Sequence, residues 1–430
     1  LEFRRVLFRS LISLLLPVQE FLLDWRLLVQ AIYRDLTAQN TTGEKPQILL
    51  VQIDEKSIEK AEIKEPYPME TKYLAKLIDR LAELDAELIG IDYILNRYNS
   101  QAEGDLQLKD AIQKAVKHQN TRFVFLKNER EGWRVNKELA SLNWSLEGDI
   151  YIDLKGKYVT MLRDVKLEKP QFVYRFPFAY MLAFAYELKS EENNDLPQPN
   201  LNSESDFYQQ LYDYRKELIG EKPLFEEQAY LKLITVLSWR LKQRWFNPII
   251  DYSVGYEGVY NCIPAWRLLT SKDFLEEGKK QKCEVSKIDG SIKERIIIIA
   301  SGGYDEAEDT INNPPLAFRY RSGKRKLTGG EVHAYTLHHL LANRLVISIP
   351  DFFVVLAAIF LGRNVALIME NYRERLPLLG TALIAVNLIY VAVSLQFYIS
   401  KAILLPIILP SLAFWFCIRP ANLFNKRRID

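Results

Sequence analysis

The chain alternates short apolar runs with amphipathic stretches over most of its length, then turns almost wholly apolar near its end. Gln47–Asp54 (QILLVQID) is a continuous apolar, partly β-branched run, which suits a strand buried on both faces. A polar turn ending in EPYPME follows. In Thr71–Ala86, the residues Leu74, Leu77, Ile78, Leu81 and Leu84 fall on one helical face, with Thr71 placed to cap it. Glu87–Leu95 (ELIGIDYIL) reads as a second buried strand. Strand, helix and strand within ~50 residues make a βαβ unit, so these two strands are expected to be parallel and adjacent. Asp105–His118 predicts a helix, Arg122–Lys127 a third strand, Glu294–Ser301 (ERIIIIAS) a further strand and Glu331–Asn343 a helix. Phe176–Leu188, Asp206–Ile219 and Phe225–Arg244 also read as helices. Ser190–Ser205, rich in Asn, Pro, Ser and acid, reads as a solvated loop. The fold class expected is α/β with a largely parallel sheet, joined to an all-α transmembrane bundle.

The bundle is expected because only six charged residues lie between Phe352 and Ile418. They leave three apolar runs: Phe352–Met369, Leu376–Ile399 and Ala402–Ile418. A membrane span needs ~20 mostly apolar residues. The second run meets this, the third falls slightly short, and the first is broken by Arg363, which is costly in hydrocarbon unless it snorkels or faces the bundle. Basic residues in short loops mark the cytoplasmic side. Arg373 and Arg375 follow the first run, and Arg419, Lys426, Arg427 and Arg428 follow the third, against Lys401 alone between the second and third. Residues 24–350 are therefore expected outside the cytoplasm, which calls for a further span at the start. Leu11–Leu23 is the candidate, though short on its own. Residues 1–10 (LEFRRVLFRS) read as a translated sequencing-adapter stretch, with the genuine chain starting part-way through a membrane helix. The expected plan is 1–10 artefact, 11–23 truncated span, 24–350 sensor domain, 351–418 three spans and 419–430 cytoplasmic tail.

Composition narrows the classes. Among 430 residues, 48% are hydrophobic and 26% charged, which excludes wholesale disorder. Three cysteines exclude a disulfide scaffold. The net charge of +2 lacks the basic excess of a nucleic-acid binder. That total is a mixture: residues 1–10 hold three Arg and one Glu, 11–350 hold 46 basic and 50 acidic side chains, and the last 80 residues hold 8 basic and 4 acidic.

Candidate chemistry gathers at strand ends. Asp54 and Asp92 each close a buried strand, and in an open α/β sheet ligands bind outside the carboxyl ends of the strands. Two carboxylates there suit a cation, a polyol or a basic ligand, or else they cap the following turns. Gly302-Gly303-Tyr304-Asp305 either brings backbone amides to an anion or forms a tight turn. The acids around it, Asp305, Glu306, Glu308 and Asp309, argue against nucleotide phosphate. Glu331, His333, His338 and His339 lack the His-Glu-x-x-His spacing of a zinc protease helix, so ligand contact and a structural role both stay open. Cys262 and Cys283 either pair or stay as buried thiols, and Cys417 lies in the last apolar run. No activated nucleophile, metal set or cofactor motif stands out.

The segments QILLVQIDEKSIEK, EPYPME, LIGIDYIL, IIIIASGGYDEAEDT and GGEVHAYTLHHLLANRL, with this layout of spans, resemble the CHASE type 2 (CHASE2) domain family of bacterial extracytoplasmic sensory domains. The likeness runs from about Leu22 to the end of the chain. Asp54, Ser57, Pro68, Asp92, Asp309, Pro314, Glu331 and His333 fall on its motifs, and Asp54, Ser57, Asp92, Asp309, Glu331 and His333 are taken as the ligand-binding set. The resemblance implies sensing of an unknown stimulus at a bacterial plasma membrane and no catalysis by this domain, and the residues themselves lead to the expectation of no cofactor and no metal. Expected partners are a small-molecule ligand, the membrane, a cytoplasmic signalling output domain or protein and a second copy of the chain, with no nucleic acid. Relatives often carry a cyclase or kinase after the last span. Twelve residues follow Ile418 here, so the output is expected to be lost, on another chain or upstream. The alternative reading is a membrane anchor or assembly scaffold. The stretch Asn193–Arg244 is longer than the resemblance leads one to expect.

Overall fold

Six short strands, most of them apolar, pair into one fully parallel sheet. The computed structural model describes residues 21–39, 47–64, 66, 68–129, 131–150, 153–155, 158–160, 165–166, 174–190, 195–220, 249–270, 291–304, 307, 309–344, 346–349, 351–371 and 376–418. These fall into two units, one holding 38–220 and 250–344, the other holding 21–37, 249 and 346–418.

Along the chain, helix α1 (21–36) precedes β1 (Ile48–Ile53), α2 (Glu55–Ala61), α3 (Thr71–Glu83) and β2 (Leu88–Ile91). Then come α4 (Glu103–Gln119), β3 (Arg122–Lys127), β4 (Leu146–Asp149), α5 (Phe178–Ser190) and α6 (Phe207–Ile219). The α/β unit closes with β5 (Asn261–Pro264), α7 (Ala265–Thr270), β6 (Ile296–Ser301), α8 (Leu316–Ser322) and α9 (Gly329–Leu341). The second unit adds α10 (Asp351–Asn371), α11 (Leu376–Lys401) and α12 (Ile408–Ile418).

The spatial strand order is β4-β3-β2-β6-β1-β5, with every neighbouring pair parallel. Every residue of β1 and β6 is buried, which a parallel sheet achieves only with both faces covered. On one face α3, α4 and α7 pack over Leu49, Val51, Ile53, Ile89, Ile91, Ile297 and Ile299. On the other, α5 and α9 lie against the sheet. Gly148 lets α5 come close: a Cβ there would meet Phe178 Cα at 2.3 Å.

Two expectations need correction. β1 and β2 are not adjacent, because β6 from late in the chain sits between them. The local βαβ rule has no access to a strand inserted from ~200 residues away. Thr71 does not cap α3: it is the first helical residue, and the cap position, Glu70, makes no side-chain cap hydrogen bond. The expected helix at 225–244 lies outside the described residues.

In the other unit, 347–348 pairs in parallel with 403–404, which sets the start of α10 beside the end of α11. Arg26 of α1 bonds the Ile349 carbonyl at 2.8 Å and pairs with Asp351, and Tyr33 donates to Gln396 Oε1 at 3.1 Å. Among the described residues one helix segment, Pro377–Lys401, is long and apolar enough to cross a membrane. Phe353–Met369 and Ile408–Ile418 are apolar but shorter. The third expected run is shortened because Ala402–Ile407 is not helical, with 403–404 spent on the strand pair and Pro406 breaking the backbone ladder.

Candidate functional site

The six residues taken from the motifs separate into three local groups. Asp54 ends β1 and caps α2. Its Oδ1 accepts from the Ser57 backbone N–H at 2.9 Å and from the Ser57 hydroxyl at 2.6 Å. Ser57 Oγ in turn accepts the Trp266 N–H at 3.2 Å, tying α2 to α7. Ser57 is fully buried. This pair is therefore committed to the architecture: it satisfies an orphan donor at a helix start. The Gly302 N–H donates to the Ile53 carbonyl at 2.7 Å, so the two strand ends touch through backbone here.

Glu331 sits in a second group. With Thr328 it forms a capping box at the start of α9: Glu331 Oε2 accepts the Thr328 N–H at 3.0 Å, and Thr328 Oγ1 accepts the Glu331 N–H at 3.3 Å. Its Oε1 accepts from Tyr260 at 2.9 Å and from Lys324 Nζ at 2.6 Å. The carboxylate is fully buried, and three of its about four lone-pair sites are occupied. Sequence reasoning missed Tyr260 and Lys324, which no local pattern connects to Glu331.

Asp92, Asp309 and His333 form the third group, at the carboxyl ends of β2 and β6. Asp92 Oδ1 lies 3.6 Å from His333 Nε2, longer than a hydrogen bond. Asp92 Oδ2 is buried with no hydrogen-bond partner. Burial, then the nearby Asp309 carboxylate, raises the Asp92 pKa well above the ordinary range. Burial pushes Asp309 up to about 6, against a bond from the Gly329 amide that favours its charge. Burial holds His333 down to about 4, and its ring stands edge-on to Phe178 with centroids 5.1 Å apart. Burial also raises the Tyr93 phenol, with Tyr304, Asp92 and Asp309 adding to it. Two acids kept from ionising together are a functional-site signal. The sequence marks Asp92 as a strand-end acid but carries no sign that Asp309, rather than Asp54, stands beside it.

His339 is structural, whereas His338 Nε2 is buried with no hydrogen-bond partner. His339 Nδ1 bonds the Tyr335 carbonyl at 2.8 Å and its Nε2 accepts the Asp251 N–H at 2.9 Å, which fixes a neutral ring with both nitrogens used. Asp305, Glu306 and Glu308 lie outside the described residues. Cys262 is disulfide-bonded and Cys417 is free, while Cys283 lies outside the described residues. Among the described residues no group of three or more His, Cys, Asp or Glu side chains is placed to hold a metal ion.

Sheet and site together define an α/β domain with buried acids at the carboxyl edge of a parallel sheet. The chain belongs to the CHASE2 domain family, whose model matches residues 6–368, the α/β unit and most of α10. That family comprises extracytoplasmic sensory domains. No curated protein and no solved structure matches the chain.

Proposed function

We propose that this chain is a membrane-anchored receptor module. Its α/β unit faces the extracytoplasmic side and binds a stimulus. Binding shifts the packing of the C-terminal helices between two arrangements, and an output domain on the cytoplasmic side reads the change. The observation that carries the reading is the family match over the α/β unit and into α10. The exposed apolar surface of α11 supports the membrane part: little of Pro377–Lys401 is buried, whereas the core helix of a soluble protein is mostly buried. The domain is proposed to sense without catalysis, through three spans after the α/β unit and one before it.

A thermal-shift screen of the full chain in detergent tests this. A ligand that binds only the folded state raises stability by about 2.7 kcal/mol at a concentration 100 times its Kd. The expected result is a saturable rise for at least one class of small molecule or ion. A flat response throughout, with a stable protein partner found by crosslinking, would replace the receptor with a scaffold.

A further inference from the structure

The Asp92 and Asp309 carboxyls converge on the first two residues of α9. A Cβ on Gly329 would stand 2.3 Å from Asp309 Oδ1 and 2.4 Å from its Oδ2, and a Cβ on Gly330 would stand 3.5 Å from Asp92 Oδ2. Adjacent Cα atoms are ~3.8 Å apart, so the two acids lie against neighbouring glycines. The Asp92 side chain is 5% exposed, and its Oδ2 has no partner. Two carboxylates at one turn, one of them buried and the other largely so, resist ionising together without a counter-charge.

Among the described residues, the elements packed around the pair supply none. His333 faces Asp92 from α9 and is held neutral by burial. Tyr93 follows β2 and Tyr304 follows β6; both are phenols. Glu331, two residues before His333, is itself acidic and is committed to Lys324 and Tyr260. The amides at the start of α9 favour one negative charge, and the Gly329 N–H is divided between the Asp309 carbonyl, at 3.2 Å, and the Asp309 carboxylate. A helix start stabilises part of one charge, not two.

We propose that Asp92 and Asp309 form a proton-binding site, in which a proton on one of them lets both carboxyls pack against the Gly329-Gly330 turn. Loss of that proton leaves two like charges that press the Asp309 segment away from β2. The site rests on this geometry, while the view that its occupancy is a stimulus rests on the receptor reading above.

The test is the thermal midpoint of the full chain in detergent between about pH 5 and pH 8, for wild type, Asp309→Asn and Asp92→Asn. The wild-type midpoint is expected to fall with rising pH. Asp309→Asn, whose amide mimics the protonated acid, is expected to lose part of that fall, and Asp92→Asn, which removes the more deeply buried acid, is expected to lose part of it too. Infrared spectroscopy of the folded wild type gives a second readout that survives a variant's failure to fold. A protonated-carboxyl band that is present at pH 5 and lost by pH 8 supports the site. No such band, or the same pH slope in wild type and Asp309→Asn, overturns it. Full recovery of the wild-type midpoint at pH 8 on adding Ca²⁺, Mg²⁺ or methylammonium also overturns it, by making the occupant a cation. Crosslinking between cysteines placed on α10 and α12 separates the two readings. A pH-dependent midpoint with crosslinks that never move, under pH or any ligand, keeps the proton site and removes the receptor.

Discussion

Single atoms decide the character of the site. In an open helix, alanine is favoured over glycine by ~1 kcal/mol. At position 330 the sign should reverse, because the added Cβ would stand 2.3 Å from Ala300 Cβ on β6, and neither atom can rotate away. Gly330→Ala is expected to lower stability by ~1–3 kcal/mol, the range for overpacking, and adding Ala300→Gly should recover much of it. A single variant that melts above wild type would refute the close contact. Asp309 shares the pH dependence with Asp92, and its sign follows from linkage. Its folded pKa of about 6 lies above the ordinary 3.8, so the folded state binds the extra proton. Its contribution is complete below about pH 4 and is lost as the pH rises through about 6. The full swing is on the order of 3 kcal/mol before coupling to Asp92 is considered. Asp54 behaves differently. Asp54→Ala should cost ~1 kcal/mol through the lost cap and leave that pH slope intact. The sequence shows an acid after each strand, and capping and ligand binding both call for an acid there. What separates the two roles is burial and the neighbour. Asp54 has Ser57 three residues on, while the partner of Asp92 lies more than 200 residues away.

At the scale of elements, α9 is where site and fold meet, since its N-terminal end carries Gly329, Gly330, Glu331 and His333. Thr328→Ala removes one half of the capping box and should cost ~1 kcal/mol. Hydrogen exchange should then quicken at the amides of Gly330 and Glu331 with little change in β1. Equal acceleration in β1 would mean that the cap holds the whole unit and not one helix end. Long, periodic elements are legible in the sequence: β3 occupies the expected Arg122–Lys127, and α4 extends the expected helix by two residues at its start and one at its end. β4 (LEGD) and β5 (NCIP) are not, because four residues containing Gly, acids or Pro show neither alternation nor an apolar run. Strand order is illegible for a different reason. A parallel sheet fixes neighbours through crossovers of any length, so the insertion of β6 between β1 and β2 leaves no trace near either strand.

For the whole molecule the open quantity is the number of membrane crossings after the α/β unit, and α11 makes it answerable. Val386, Leu388, Ile389 and Val393 are each more than half exposed on a helix whose apolar surface has no aqueous rationale. Arg373 and Arg375 precede it and Lys401 ends it, so on the receptor reading the positive-inside rule would place its start in the cytoplasm and its end outside. The pairing of 347–348 with 403–404 holds the start of α10 beside the end of α11, and so on the same side of a membrane that α11 would cross. Helix α12 has 11 described residues, ~17 Å of rise against a ~30 Å hydrocarbon core, so on those residues alone it does not cross. Topology reporters fused at Gly303, Arg373, Leu405 and Arg428 discriminate. Three crossings give outside, inside, outside and inside in that order. Fusions at Gly303 and Arg428 alone do not suffice, since a single crossing by α11 also puts them on opposite sides. A single crossing would instead group Gly303 with Arg373 and Leu405 with Arg428. The receptor layout expects the alternating result. Gly303 and Arg428 on one side would remove it, because a stimulus bound at the carboxyl edge of the sheet would then have no membrane between it and the C-terminal tail.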